Sequence, residues 1–297
     1  MTLSLGIIGS SIGNGHPYSW SAIFNGYNAN AMSECEYPVI LEYLSKQNWP
    51  SVRIFDANVV SIWTQDYELS KRIAKASCIP HVSLSLNELT DNVDAVLLAR
   101  DDAENHMYFS KNVLLSGKPI YIDKPIALSK ANLNEIYQLQ QYSGQIFTCS
   151  ALRYSSELTL SPQDKIDLGE IIKISAFTPN SWEKYAVHLI EPILNMINPE
   201  NKILRSELTI NSLEAKTLNV TWENGLKTFI NTLGCSNAPI KIEIEGLNGT
   251  KSLIFKDTFL SFKSALQDYV DGINNNECRS PFEFNSRVVD LIERGIT

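Results

Sequence analysis

The chain has 297 residues, 44% hydrophobic and 20% charged, a globular composition long enough for two domains and free of low-complexity tracts. Its formal net charge of -8 argues against a general binder of phosphate backbones, which needs a concentrated basic face, so nucleic acid is not an expected partner. The five cysteines (Cys35, Cys78, Cys149, Cys235, Cys278) form no CxxC pair or clustered metal-ligand spacing, and no segment approaches the roughly 18 apolar residues of a membrane span; the expectation is buried thiols, no metal and no membrane.

The opening run MTLSLGIIGSSIG is too short and too poorly flanked by positive charge for a signal peptide, which predicts a cytoplasmic protein. Within it, Leu3 to Ile8 is a short apolar strand leading into Gly9-Ser-Ser-Ile-Gly13-Asn-Gly15-His-Pro17, after which Tyr18 to Tyr27 has a helical pattern. Strand, loose glycine turn and helix make a phosphate site: glycine lets the backbone approach a pyrophosphate, and the helix points unpaired N–H groups at the anion. Counted from Gly9, the dinucleotide pattern G-x-G-x-x-G meets Ser11 and Asn14 where its second and third glycines belong. Gly9, Ser10, Ser11 and Gly13 are the candidate cofactor contacts.

A helix after Pro38 precedes Val52-Arg-Ile-Phe-Asp56, read as the second strand, with Asp56 at its end as the ligand of an adenosine ribose. A carboxylate there favours NAD over NADP, whose extra phosphate it repels. A helix over Asp66 to Ala76, a strand at Pro80 to Ser83, a turn around Ser85 to Leu89, a buried strand over Asp94 to Ala99 and a helix from Glu104 to Ser116 follow. The strand Pro119 to Asp123 then ends on Lys124-Pro125. Alternating strands and helices predict a doubly wound parallel sheet, whose strand carboxyl ends face the ligand crevice, so Asp123 and Lys124 are candidate site residues.

Past Pro125 the rhythm changes. A helix over Lys130 to Tyr142 and a strand over Gln145 to Cys149 lead to Arg153-Tyr154; then come a strand over Glu170 to Phe177 and the segment Trp182 to Asn195. Alternating strands at Ser206 to Ile210, Ser212 to Glu223, Lys227 to Gly234, Ile240 to Gly246 and Lys251 to Phe255 are joined by turns such as Glu223-Asn-Gly225 and Leu247-Asn-Gly249, which are hairpin signals. A final helix over Phe259 to Asn274 and a segment from Pro281 to Arg294 follow. The expected fold class is α/β: a Rossmann-like doubly wound parallel sheet over residues 1–124, then an α+β domain with a mostly antiparallel open sheet over 125–297.

This order of motifs resembles the glucose-fructose oxidoreductase, inositol dehydrogenase and MocA (Gfo/Idh/MocA) family of nicotinamide-dependent oxidoreductases. Gly117-Lys-Pro-Ile-Tyr-Ile-Asp-Lys-Pro125 is similar to the family's G-K-x-V-x-x-E-K-P, with Asp123 for the glutamate. His106 before the preceding helix, Arg153-Tyr154 after the next strand, and the tail Phe262 to Ile273 also match. The resemblance implies hydride transfer between a nicotinamide, NAD in preference to NADP, and a hydroxyl-bearing carbon of a sugar, cyclitol or sugar derivative in carbohydrate metabolism. It also implies a homodimer or homotetramer formed through the sheet of the second domain.

By that resemblance Lys124 is the lysine whose ammonium stabilises a developing alkoxide. The family's D-x-x-x-H corresponds to Lys184-Tyr185-Ala-Val-His188, in which lysine replaces aspartate. Spacings of three and four put Lys184, Tyr185 and His188 on one helical face, with His188 as the base and Tyr185 as a further donor. Arg153, Tyr154 and Trp182 are candidate substrate contacts, while His106 reads as a structural residue near the cofactor turn. Two other readings stay open: a glycosidase or epimerase using NAD for transient oxidation, and a non-catalytic nucleotide sensor of the same fold.

Overall fold

The computed structural model describes residues 2–212 and 214–296. These form two compact units, one holding residues up to Ala127, Ala131–Cys149 and Phe262–Phe282, the other Leu128–Lys130, Ser150–Ser261 and the chain from Glu283 on.

The first unit opens with β1 (Leu3–Ile8), α1 (His16–Asn25), α2 (Ala29–Ser33) and α3 (Pro38–Ser45). The second strand is β2 (Ala57–Trp63), not Val52–Asp56: residues 51–53 turn, and the β-branched run Asn58-Val-Val-Ser-Ile62 forms the ladder, with Leu3 opposite Ala57 and Ile8 opposite Trp63. Then follow α4 (Tyr67–Ala76), β3 (His81–Val82) and α5 (Leu86–Asp91). The last is a helix where a turn was expected, because the Ser85 side chain caps it by accepting from the Glu88 N–H. The unit continues through β4 (Ala95–Leu98), α6 (His106–Leu115), β5 (Ile120–Ile122), α7 (Lys130–Tyr137, in this unit from Ala131) and β6 (Ile146–Phe147).

All six strands are parallel, in the order β3-β2-β1-β4-β5-β6, and β4 is buried throughout, as its unbroken apolar run requires. The order reverses between β1 and β4, the place where such sheets open a crevice at their carboxyl ends.

The second unit contains α8 (Pro162–Leu168), β7 (Ile171–Thr178), α9 (Trp182–Tyr185), α10 (Val187–Met196), β8 (Ile203–Ile210), β9 (Ala215–Trp222), β10 (Lys227–Leu233), β11 (Lys241–Gly246) and β12 (Thr250–Ile254). The expected strand start at Ser212 lies before β9, and Leu213 lies outside the described residues. The sheet order is β12-β11-β7-β10-β9-β8, antiparallel except for the parallel pair β7 and β10, and both predicted hairpins are present. Period-two alternation puts Ile174, Ala176, Leu218, Val220, Ile230, Ile242 and Ile244 into one core with Ile190, Ile193 and Leu194 of α10.

The last two helices are α11 (Thr258–Asn275) and α12 (Phe282–Arg294). The expected boundary at 124/125 is corrected here. β6 joins the first sheet by pairing with β5, and the α11 residues from Phe262 on belong to the first unit. Tyr269 is the anchor: it is buried against Tyr121 and Phe147, ring centroids 5.6 and 5.5 Å away, and donates its hydroxyl to the Val96 carbonyl at 3.1 Å. Tyr269→Ala is therefore expected to destabilise the first unit by about 3 to 5 kcal/mol in urea unfolding. A Tyr269→Phe change, which deletes only the hydrogen bond, should cost about 1 kcal/mol.

Candidate functional site

In the first unit, three adjacent strand ends converge. The loop after β1 carries Ser10, Ser11 and Asn14, the end of β4 leads into Arg100-Asp101-Asp102, and the end of β5 into Asp123-Lys124. Ser11 donates its hydroxyl to Asp101 (2.7 Å) and accepts from the Asp101 N–H (3.1 Å). The buried Asp123 carboxylate accepts from Asn14 Nδ2 (3.0 Å), His16 Nδ1 (2.5 Å) and the Lys124 N–H (2.7 Å). Lys124 Nζ, buried with it, lies 3.8 Å from an Asp101 oxygen. His106 Nε2 meets the Arg100 carbonyl (2.7 Å) and Nδ1 the Ile126 carbonyl (3.0 Å), so this fully buried ring ties the Asp101 loop to the turn after Lys124.

Whether this loop fits a dinucleotide can be judged from its own donors. Among the described residues the N–H groups of Ser11 and Gly13 have no intramolecular acceptor, Gly13 has φ +80°, and a Cβ built on it would meet nothing within 4 Å. The loop thus offers two unspent N–H donors and open space beside them. The expected help from the first turn of α1 is reduced, however: His16 N–H is taken by Asn14 Oδ1 (2.7 Å) and Pro17 has no N–H, so loop amides rather than the helix end are the donors. Gly9 serves packing, since a Cβ there would stand 2.6 Å from Pro17 Cγ.

Asp56 does not reach this edge. It precedes β2, its carbonyl accepting from the Leu3 N–H, and so stands about 20 Å along the strand from the glycine loop. The carboxyl end of β2 presents Trp63-Thr64-Gln65 instead; Gln65 clamps Ser10 through both its backbone groups (3.1 and 2.9 Å), and Asp66 caps α4. Asp56 therefore cannot select NAD over NADP from this position.

The second unit assembles another polar group. His188 Nδ1 lies 2.7 Å from Ser150 Oγ, and its ring meets Tyr185 edge to face with centroids 5.2 Å apart, although Lys184 and Tyr185 end α9 and His188 belongs to α10 rather than to one continuous helix. One helical turn further, buried Glu191 accepts from the Ser150 N–H (2.8 Å) and lies 3.5 Å from Arg153 Nε. Arg153 is packed between the rings of Tyr154 and Phe284. Lys184 is half-buried at the end of α9.

Trp182 is corrected: it is buried, donates its indole N–H to the Ile292 carbonyl (2.8 Å), and lies so close to Gly295 that a Cβ there would meet the ring, which leaves no face for a sugar. His16, Asp101, Ser150 and Glu191 were missed in the sequence. For Glu191 a signal existed, three residues beyond His188 on the same helical face.

Residues 5–150 match the sequence profile of the Gfo/Idh/MocA oxidoreductase family, NAD-binding Rossmann fold. No curated protein matches this chain in sequence. Among solved structures the fold is similar to myo-inositol 2-dehydrogenase from Lactobacillus plantarum (TM-score 0.73, 12% identity, covering 99% of this chain and 96% of that one). Scyllo-inositol dehydrogenase from Lactobacillus casei, with bound NAD(H) and scyllo-inositol, gives 0.70 at 14% identity, covering 99% and 96%. Biliverdin reductase from Synechocystis, in complex with biliverdin and NADP+, gives 0.70 at 13%, covering 99% and 98%. No helix of the described residues is long and apolar enough to cross a membrane.

Burial raises the Glu191 carboxyl from 4.5 to about 7, outweighing the opposing pull of Arg153 and of the Ser150 N–H. Since the folded value lies above the unfolded one, this group costs nothing below pH 4.5, lowers stability progressively between pH 4.5 and 7 at up to about 1.4 kcal/mol per pH unit, and adds no further slope above 7. Glu191→Gln is expected to flatten the stability profile in that window, as measured by urea unfolding at a series of pH values.

Proposed function

We propose that this chain, whose residues 5–150 match the profile of the Gfo/Idh/MocA oxidoreductase family, transfers hydride between a nicotinamide dinucleotide and a hydroxyl-bearing carbon of a sugar, cyclitol or sugar derivative. The observation that carries this reading is the buried Lys124 ammonium at the carboxyl end of β5, beside the β1 loop at the point where the strand order reverses. The dinucleotide, NAD or NADP, supplies the hydride acceptor or donor. The loop amides of Ser11 and Gly13 hold its phosphates, while Gln65 and Arg100 brace Ser10 between them.

Lys124 stabilises negative charge on the substrate oxygen, and the nearby Asp101 carboxylate positions the ammonium. His188 exchanges the hydroxyl proton through Nε2, with Nδ1 held by Ser150. A serine hydroxyl both donates and accepts, so it supports the tautomer with a basic Nε2 for oxidation and the tautomer with an Nε2 proton for reduction. Tyr185 adds a donor beside the imidazole, and Arg153 and Tyr154 contribute to substrate binding. The inositol dehydrogenases among the similar folds make cyclitols the first substrates to test. For self-association we assign the sheet face opposite α10, where Lys241 and Lys173 lie over Phe177 and Phe229.

A second, non-catalytic reading is favoured by the loop itself, where Ser11 and Asn14 replace glycines and spend their side chains on Asp101 and Asp123. The two readings separate in a screen of cyclitols and sugars with both oxidised cofactors, followed by reduced-nicotinamide absorbance. With an active substrate in hand, Lys124→Ala is expected to lower kcat by about 100- to 1000-fold, and His188→Ala by about 100- to 10000-fold with dinucleotide binding retained. Wild-type turnover in both variants contradicts the assignment. No turnover on any substrate by a protein that binds dinucleotide favours the sensor.

A further inference from the structure

Away from His188, the second unit contains a cavity of about 340 Å³ between the end of α10, the loop entering β8 and helix α12. Leu194, on its wall, is six residues beyond His188 on α10, about 9 Å along the axis, so this is a separate place. Its volume lies at the lower end of the range for small-molecule sites.

The cavity's charge runs against that of the chain. Four cations, Lys130, Lys202, Arg287 and Arg294, line it with only two carboxylates, Glu200 and Asp290, in a protein of net charge -8. Asp290 is already engaged by Arg294 Nε (2.9 Å) and Lys130 Nζ (3.7 Å). Arg287 is half-buried over the Trp222 ring and donates one N–H to the Asn201 carbonyl (3.3 Å), and among the described residues no carboxylate comes within ion-pair distance of it. A guanidinium offers five donors in a planar fork, and a desolvated one without a counter-ion is costly. Burial accordingly pulls Arg287 below its ordinary range, with Glu200 opposing only in part.

We propose that this cavity binds the phosphate group of a small phosphorylated metabolite, held bidentately by Arg287 and flanked by Lys202 and Arg294. A dianion matches the surplus of two positive charges, and the fork suits two phosphate oxygens. Beyond the phosphate, the apolar wall of Leu194, Ile203 and Leu291 receives the rest of the molecule.

The test is isothermal titration of the full-length protein with inorganic phosphate, with ionic strength held constant by sodium chloride. The expected result is one saturable site in the wild type, binding weakened at least tenfold by Arg287→Leu and several-fold by Arg287→Lys, which keeps the charge and loses the fork. Should Arg287→Leu fail to fold, the double variant Lys202→Ala/Arg294→Ala, at exposed positions, is expected to weaken binding at least tenfold. Heats no greater than those of chloride, or phosphate affinity unchanged in folded variants, as an anion held at the Gly9–Gly15 loop would give, overturn the proposal.

Discussion

The Asp123 carboxylate is the constraint on which the first site depends. A carboxylate buried at the end of an apolar strand is tolerated only when donors replace its water. Here a main-chain N–H, an Asn14 amide and the His16 ring provide them. One of these comes from the loop after β1 and one from the first residue of α1, so satisfying one charge fixes that connection against the end of β5. His16 is itself stacked on Trp20 with centroids 5.0 Å apart, which transmits the constraint into α1. Lys124, the next residue, is placed by the same clamp, and Asp101, held by Ser11, completes the arrangement of opposite charges around the crevice.

The second unit solves a related problem differently. Glu191 is buried with an Arg153 partner at 3.5 Å and one main-chain N–H, too little to offset its desolvation fully. What it fixes is Ser150, whose hydroxyl faces His188. A helix turn, a serine and an imidazole thus form one chain of contacts, with the apolar core beneath α10 holding the helix to its sheet.

Much of this was legible because local chemistry and tertiary packing agree. Leu3–Ile8 and Ile120–Ile122 are short apolar runs bounded by glycine or proline, and Glu223-Asn-Gly225 and Leu247-Asn-Gly249 carry hairpin residues at the right places. Val52-Arg-Ile-Phe misled because its composition suits a strand, while the true strand, Ala57–Trp63, is a longer β-branched run directly after it. That shift moved Asp56 to the wrong edge of the sheet. The return of Phe262–Phe282 to the first unit and the pairing of Asp123 with His16 are contacts between residues more than 100 positions apart. Periodicity carries no information about them. Trp182 shows the opposite case: its size drew attention, yet its indole is spent on packing and on the Ile292 carbonyl.

The proposed hydride transfer requires a nicotinamide dinucleotide in the loop between β1 and α1. The most direct measurement is a fluorescence titration of the purified full-length protein with NADH and, in parallel, NADPH, with mass spectrometry of the same preparation for cofactor already retained. Saturable binding of one or both, or a dinucleotide found in the preparation, is the predicted result. Binding of neither, by a protein that carries none, would contradict the account.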